Sequence, residues 1–308
     1  MTSERDFIRA LQQRAVVFPP VITGIGDDGA VLACDHDRRQ VVVTDMLLDG
    51  VHFDLHNTSA ELAGRKAVAV NLSDLAAMAC RPTAAFVSLA LPEPLARDKQ
   101  FSEDLYRGIH SICEQWQMTL AGGDTNVWKG PFAINVCLTG IPFQSEPVLR
   151  STAQPGDLLL VTGPLGGSLT HGRHLTFEPR LKESQAITDL VPVHAMMDIS
   201  DGLSLDLHRM MEASGTGAVV FAESIPIHSH VPADLPEHER LQRALSDGED
   251  FELLLAVAKD NAETILCHHD LSNRLTIIGE VTSAKNSIQI RNTDETNTPL
   301  KATGWQHL

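Results

Sequence analysis

Residues 60–80 read AELAGRKAVAVNLSDLAAMAC, a run dominated by Ala, Leu, Val and Met with one Gly and no Pro. That composition predicts a long helix, apolar all round and therefore mostly buried. Asn71, Ser73 and Asp74 interrupt it. Such residues weaken a helix interior and cost more when buried without partners. Three of them inside an apolar background point to a ligand site rather than to surface decoration.

Outward from this helix, strands and helices mix. On the N-terminal side the patterning predicts a helix over residues 3–15 and strands over 30–34 and 40–47. On the C-terminal side it predicts a strand over 83–91, an amphipathic helix over 98–117 and a strand over 132–141. Periodicity lapses between residues 144 and 156, where Pro147, Pro155 and Gly156 cluster. A second set then begins, with strands over 158–162, 195–199, 218–222, 251–257 and 275–281 and helices over 203–213 and 261–268. The expectation is a mixed α/β protein of two domains, residues 1–145 and 146–308.

Composition narrows the function. The 308 residues carry a formal charge of −16, with 43% hydrophobic and 21% charged residues. A packed core is expected, and such an excess of acid argues against nucleic acid or an anionic membrane as partner. No apolar run reaches the ~20 residues that span a bilayer. The opening residues lack a signal-peptide pattern, and the five cysteines are scattered without metal-site spacing. A cytoplasmic protein with small core thiols is the expectation.

An acidic protein can still bind phosphates through divalent cations. Four further Asp-bearing segments bear on this. Gly24–Ala30, GIGDDGA, sets two carboxylates side by side between glycines, as a cation site or as an ordinary polar turn. Asp45 ends an apolar strand and is either a ligand at a cleft or a cap. Gly122–Thr125, GGDT, either cradles phosphate or makes a turn. Residues 198–202, DISDG, stand where a strand hands over to a helix; Ser200 or Asp201 caps that helix or serves a Mg²⁺–phosphate site with Asp198. Together they suit oxygen-ligated Mg²⁺. No Walker-A sequence is present, and Gly163-Pro164-Leu165-Gly166-Gly167-Ser168 lacks its Lys.

These segments, in order, resemble the thiamine-monophosphate kinase family of the aminoimidazole ribonucleotide synthetase superfamily. The likeness rests on GIGDDGA, TDMLLDGVHF (44–53), KAVAVNLSDLAAM (66–78), GGDT, Arg150 with residues 155–157, DISDGL (198–203) and GEDFEL (248–253). It implies ATP-dependent transfer of a phosphoryl group to thiamine monophosphate by direct in-line displacement, several Mg²⁺ ions and a homodimer formed through the N-terminal domain. A related kinase acting on another small phosphate, or a non-catalytic Mg·ATP-binding protein, is the alternative. The resemblance places Asp28, Thr44, Asp45, Asp74, Asp124, Asp198 and Asp201 on metal positions, and Gly123, Asp124, Arg150 and Ser200 on ATP positions. It places His52, Glu249 and Trp305 on substrate positions, and gives Asp45, Asp74, Asp124 and Arg150 the catalytic roles. Val43 and Asp247 depart from the family pattern, which often has Ser or Thr at the first and usually Gly at the second.

Overall fold

The computed structural model describes residues 4–272 and 274–306. In the N-terminal half, helix α1 (Glu4–Arg14) precedes strands β1 (Val21–Thr23), β2 (Ala30–Ala33) and β3 (Arg39–Leu48). Helix α2 (Ala60–Ala77), strand β4 (Cys80–Pro92), helices α3 (Glu93–Ala96) and α4 (Lys99–Gln115), and strands β5 (Thr119–Trp128) and β6 (Ala133–Pro142) complete it. The six strands form one sheet in the order β1-β2-β3-β6-β4-β5, in which only β4 and β5 pair in parallel.

The C-terminal half contains β7 (Leu158–Val161), α5 (Arg173–Thr176), α6 (Leu181–Leu190), β8 (Ala195–Ile199), α7 (Leu203–Ser214) and β9 (Gly217–Phe221). It continues with α8 (Glu237–Ser246), β10 (Glu252–Val257), α9 (Lys259–Cys267), β11 (Thr276–Thr282), β12 (Ile288–Arg291) and β13 (Asn297–Pro299). Its seven-stranded sheet runs β13-β12-β9-β11-β7-β10-β8. The mixed α/β expectation is met by two sheets, one in each half.

Helix α2 lies where the two halves meet. Ser59 caps it by accepting a hydrogen bond from the Leu62 amide. It packs against β3, β4 and β6 of the first sheet and against β8 and β10 of the second, which is why a helix so poor in polar residues is stable here. Its approach to α4 is close: a Cβ on Gly64 would sit 2.3 Å from the Leu105 carbonyl oxygen. One core runs through both halves and holds Val43, Leu72, Leu138, Met196 and Leu255 together. A second core, with Leu203, Leu207 and Leu245, lies beneath α7 and α8.

The expected elements recur with shifted ends; of the first helix, Ser3 lies outside the described residues. Two expectations need correction. GGDT is no turn but the middle of strand β5, paired in parallel with β4 from Gly122↔Phe86 to Trp128↔Pro92. Cys34 and Cys267 are exposed, so only some of the thiols are core residues. No described helix is long and apolar enough to cross a membrane.

Candidate active site

Strand alternation decides which residues of β3 reach the centre. Val41, Val43 and Leu47 are buried, and Thr44 and Met46 are exposed on the opposite face. Asp45 therefore shares the inward face with the valines. It lies inside the strand, opposite Val136, and is not a cap at its end. Asp74 comes from α2, Asp198 from β8 and Asp28 from the turn before β2. One carboxylate oxygen of each of Asp28, Asp74 and Asp198 lies within 4.8 Å of the others, and Asp45 hydrogen-bonds to Asp74. The Ser73 hydroxyl donates to Asp198 Oδ2 at 2.6 Å, so both polar residues at the end of the NLSD run serve this centre. Asn71 makes no such contact with the centre: its amide donates back to the Ala67 carbonyl at 3.1 Å.

Like charges this close and this buried resist ionisation. Burial first, then neighbouring carboxylates, holds Asp74 and Asp198 well above the usual range, and burial raises Asp45 and Asp28. Two arginines offset part of the repulsion at the rim. Arg150 donates its guanidinium to Asp28 and its amide to Asp27 Oδ2 at 3.1 Å. Arg209 spans Asp201 and Asp206, at 2.5 and 2.8 Å. At Asp74, burial and the neighbouring carboxylates of Asp45, Asp198 and Asp28 dominate. Buried Asp28 Oδ2 has no hydrogen-bond partner. An all-oxygen donor set with an orphaned carboxylate oxygen fits a hard divalent cation such as Mg²⁺.

The same groups predict a pH dependence. Burial pushes Asp27, Asp206 and Asp250 up to about 7 and raises Asp28, Asp45, Asp74 and Asp198. Between the ordinary carboxylate value and about 7 the folded chain therefore binds more protons than the unfolded chain, so stability falls as pH rises through that window. His174, His228 and His230, pushed down by burial, act in the opposite sense and are outnumbered. The midpoint of urea unfolding in EDTA is expected to be higher at pH 5 than at pH 7.5; the reverse order would show that the cluster is already compensated.

A cavity of about 310 Å³ opens from this centre. Asp45, Asp74, Asp198, Ser200 and Asp201 line it together with His52, Glu249 and Trp305. Neither Ser200 nor Asp201 caps α7, whose cap position is Gly202; the Asp201 amide instead donates to Asp206 Oδ2 at 3.0 Å. Trp305, half exposed, is tied down by its amide bond to the Asp201 carbonyl at 2.9 Å. Behind the wall, the amides of Gly166 and Gly167 donate to the carboxylates of Asp250 and Asp247 at 3.0 and 2.8 Å. That glycine-rich turn is thus occupied by the protein's own acids and is not a phosphate cradle. Asp247, the departure from the family pattern, is what pins it to α8, through Arg243 at 2.7 Å.

Three sequence-selected residues lie elsewhere. Thr44 faces the outer side of the sheet and donates to the Val136 carbonyl at 3.2 Å. Gly123 and Asp124 lie on exposed β5, beside a second concavity with Val87 and Tyr106. Gly123 also has a packing reason to be glycine, since a Cβ there would stand 1.8 Å from the Val87 carbonyl oxygen. Conversely, sequence reading gives no role to Lys66, Asp206 or Arg209, and of the paired Asp27 and Asp28 it assigns only Asp28 to the metal. A lysine leading directly into the apolar run of residues 67–70 was the available signal for Lys66.

Family comparisons agree with this architecture. The AIR synthase related protein N-terminal domain matches residues 26–142, and the corresponding C-terminal domain matches residues 154–291. A thiamine-monophosphate kinase from Rhodopirellula baltica is 42% identical over 85% of this chain and 84% of its own. The chain belongs to the thiamine-monophosphate kinase family. A second member, from Bacillus subtilis, is 32% identical over 99% of both chains. Among solved structures of the family, AaThiL complexed with AMPPCP and TMP superposes with a TM-score of 0.81 at 27% identity, over 99% of this chain and 97% of its own.

Proposed function

We propose that this protein is a thiamine-monophosphate kinase, transferring the γ-phosphoryl group of ATP to thiamine monophosphate to give thiamine diphosphate and ADP. One observation carries the reading. A single cavity joins an all-oxygen carboxylate centre to a wall bearing the Glu249 carboxylate and the Trp305 indole. The first suits metal-bound phosphates. The second suits a cationic heteroaromatic ring, by charge and by cation–π contact. Membership of this family and the AMPPCP- and TMP-bound relative support the same assignment.

Asp28, Asp45, Asp74, Asp198 and Asp201 would hold Mg²⁺, which when bound neutralises the repulsion between the donor and acceptor phosphates. The acceptor phosphate oxygen is anionic near neutral pH and attacks phosphorus directly. The bond from that phosphorus to the bridging oxygen breaks, and ADP leaves. No strong base is needed, so the protein's part is positioning and charge. Arg150 orients Asp28 through its guanidinium and Asp27 through its amide, and Ser73 orients Asp198. Ser200 and Arg150 are assigned to ATP, and His52, Glu249 and Trp305 to the acceptor. Thr44, Gly123 and Asp124 enter this reading from the sequence resemblance alone.

The division between domains is placed at residues 145 and 146, between the sheets. Met46, Phe86 and Trp128 are exposed on the outer face of the N-terminal sheet, and this apolar surface is read as the contact with a second copy. A cytoplasmic location completes the proposal. Incubation with Mg·ATP and thiamine monophosphate is expected to yield ADP and thiamine diphosphate in equal amounts, with sedimentation at twice the 33.5 kDa chain mass. Binding of Mg·ATP without thiamine diphosphate formation would transfer the reading to another small phosphate acceptor or to a non-catalytic protein.

A further inference from the structure

Lys66 has no exposed surface. A buried ammonium is costly unless it is paired and fully hydrogen-bonded. Its Nζ donates to Glu249 Oε2 at 2.5 Å and to the His52 carbonyl at 2.7 Å. The two partners come from different halves of the chain: His52 follows β3, and Glu249 precedes β10. Both line the cavity.

The Glu249 segment needs such a hold. Gly248, Glu249 and Phe251 have φ of 72°, 57° and 52°, a left-handed conformation that is unfavourable for the two side-chain-bearing residues. The Glu249 and Phe251 amides donate to the Ser200 and Ile199 carbonyls at 2.6 and 2.8 Å, which fixes the backbone. Those bonds leave the direction of the carboxylate open. The ammonium of Lys66 holds one of its oxygens, Oε2. The His52 ring is anchored separately, with Nδ1 accepting from the Leu48 amide at 3.0 Å. Lys66 holds that residue by its carbonyl, adding to the bonds from the Val51 and His52 amides to the Leu48 carbonyl that shape the loop.

We infer that Lys66 is the positioning residue of the acceptor pocket: it sets the Glu249 carboxylate and the His52 loop jointly, and so the fit of a cationic, phosphate-bearing acceptor that it does not itself touch. The inference rests on the proposed kinase function for the identity of that acceptor. It differs from a purely structural ion pair in what it predicts for the two substrates.

Lys66→Met, Lys66→Arg and Glu249→Gln, alone and with Lys66→Met added to Glu249→Gln, separate the possibilities. Lys66→Met is expected to raise KM for thiamine monophosphate by about 10- to 100-fold with KM for ATP within about twofold. Lys66→Arg should recover part of the loss. In the Glu249→Gln background, Lys66→Met should add less than about twofold, because the two residues act as one unit. Equal rises in both KM values, or additive losses in the double variant, would overturn the inference. Hydrogen exchange without substrates gives an arm independent of turnover: Lys66→Met should speed exchange in residues 50–53 and 247–251 and leave β8 and α2 unchanged. If wild type makes no thiamine diphosphate, the kinase reading fails, and unchanged exchange in those two segments would still sink the role given to Lys66.

Discussion

Asp74→Asn is expected to lower kcat by about 10³-fold while raising the thermal midpoint measured in EDTA. Asp74 contacts the two other carboxylates of the centre and hydrogen-bonds to Asp45. Asn keeps the shape and removes the charge, so repulsion is relieved in the metal-free protein while a cation loses a central ligand. Opposite signs for activity and stability distinguish this from misfolding, which lowers both. The gain in midpoint on adding Mg²⁺ should shrink in the variant. Wild-type turnover by Asp74→Asn would remove the carboxylate centre from the mechanism altogether.

Arg150→Met should destabilise the protein by about 3 kcal/mol at pH 7.5 in EDTA. Asp27 and Asp28 are each 3% exposed at the side chain, and Arg150 is the cation facing both. Removing one partner of a buried pair leaves the other charge uncompensated, which costs more than the pair contributes. Addition of Mg²⁺ should recover part of the loss by supplying positive charge on the other side of Asp28. Denaturant unfolding with and without Mg²⁺ reads both effects. A change below about 0.5 kcal/mol, the ordinary range for a surface substitution, would mean that Arg150 is dispensable to the turn.

The parts of the fold legible in sequence are those whose burial leaves a one-dimensional trace. Helix α2 is marked by its apolar background, and β7, β8 and β10 by short apolar runs. Strand β5 leaves no such trace. It is an exposed edge strand whose Gly, Asp and Asn residues have poor strand propensity, and pairing with β4 decides its conformation. Sequence reading also assigns no helix to α6 or α8. At the site, DISDG and NLSD were legible because acids and amides stand out against hydrophobic neighbours. The inward direction of Asp45, against the outward one of Thr44, was equally available from the alternation of Val41, Val43 and Leu47. Pairings such as Lys66 with Glu249 or Ser73 with Asp198 join residues more than a hundred positions apart. No local pattern encodes them; they exist only once both sheets close on α2.

Lys66, Val70 and Asp74 recur every four residues along α2, and so share one stripe of it. At 1.5 Å per residue, the eight steps from the lysine to the aspartate measure about 12 Å. The helix therefore acts as a ruler laid between the lysine that holds Glu249 and the aspartate of the carboxylate centre. Side-chain substitutions can repaint either mark, but they cannot change the interval. A single residue inserted between the two would turn Asp74 by about 100° about the axis and take it out of the carboxylate centre. That interval is thus written in the backbone of one helix and not in its side chains.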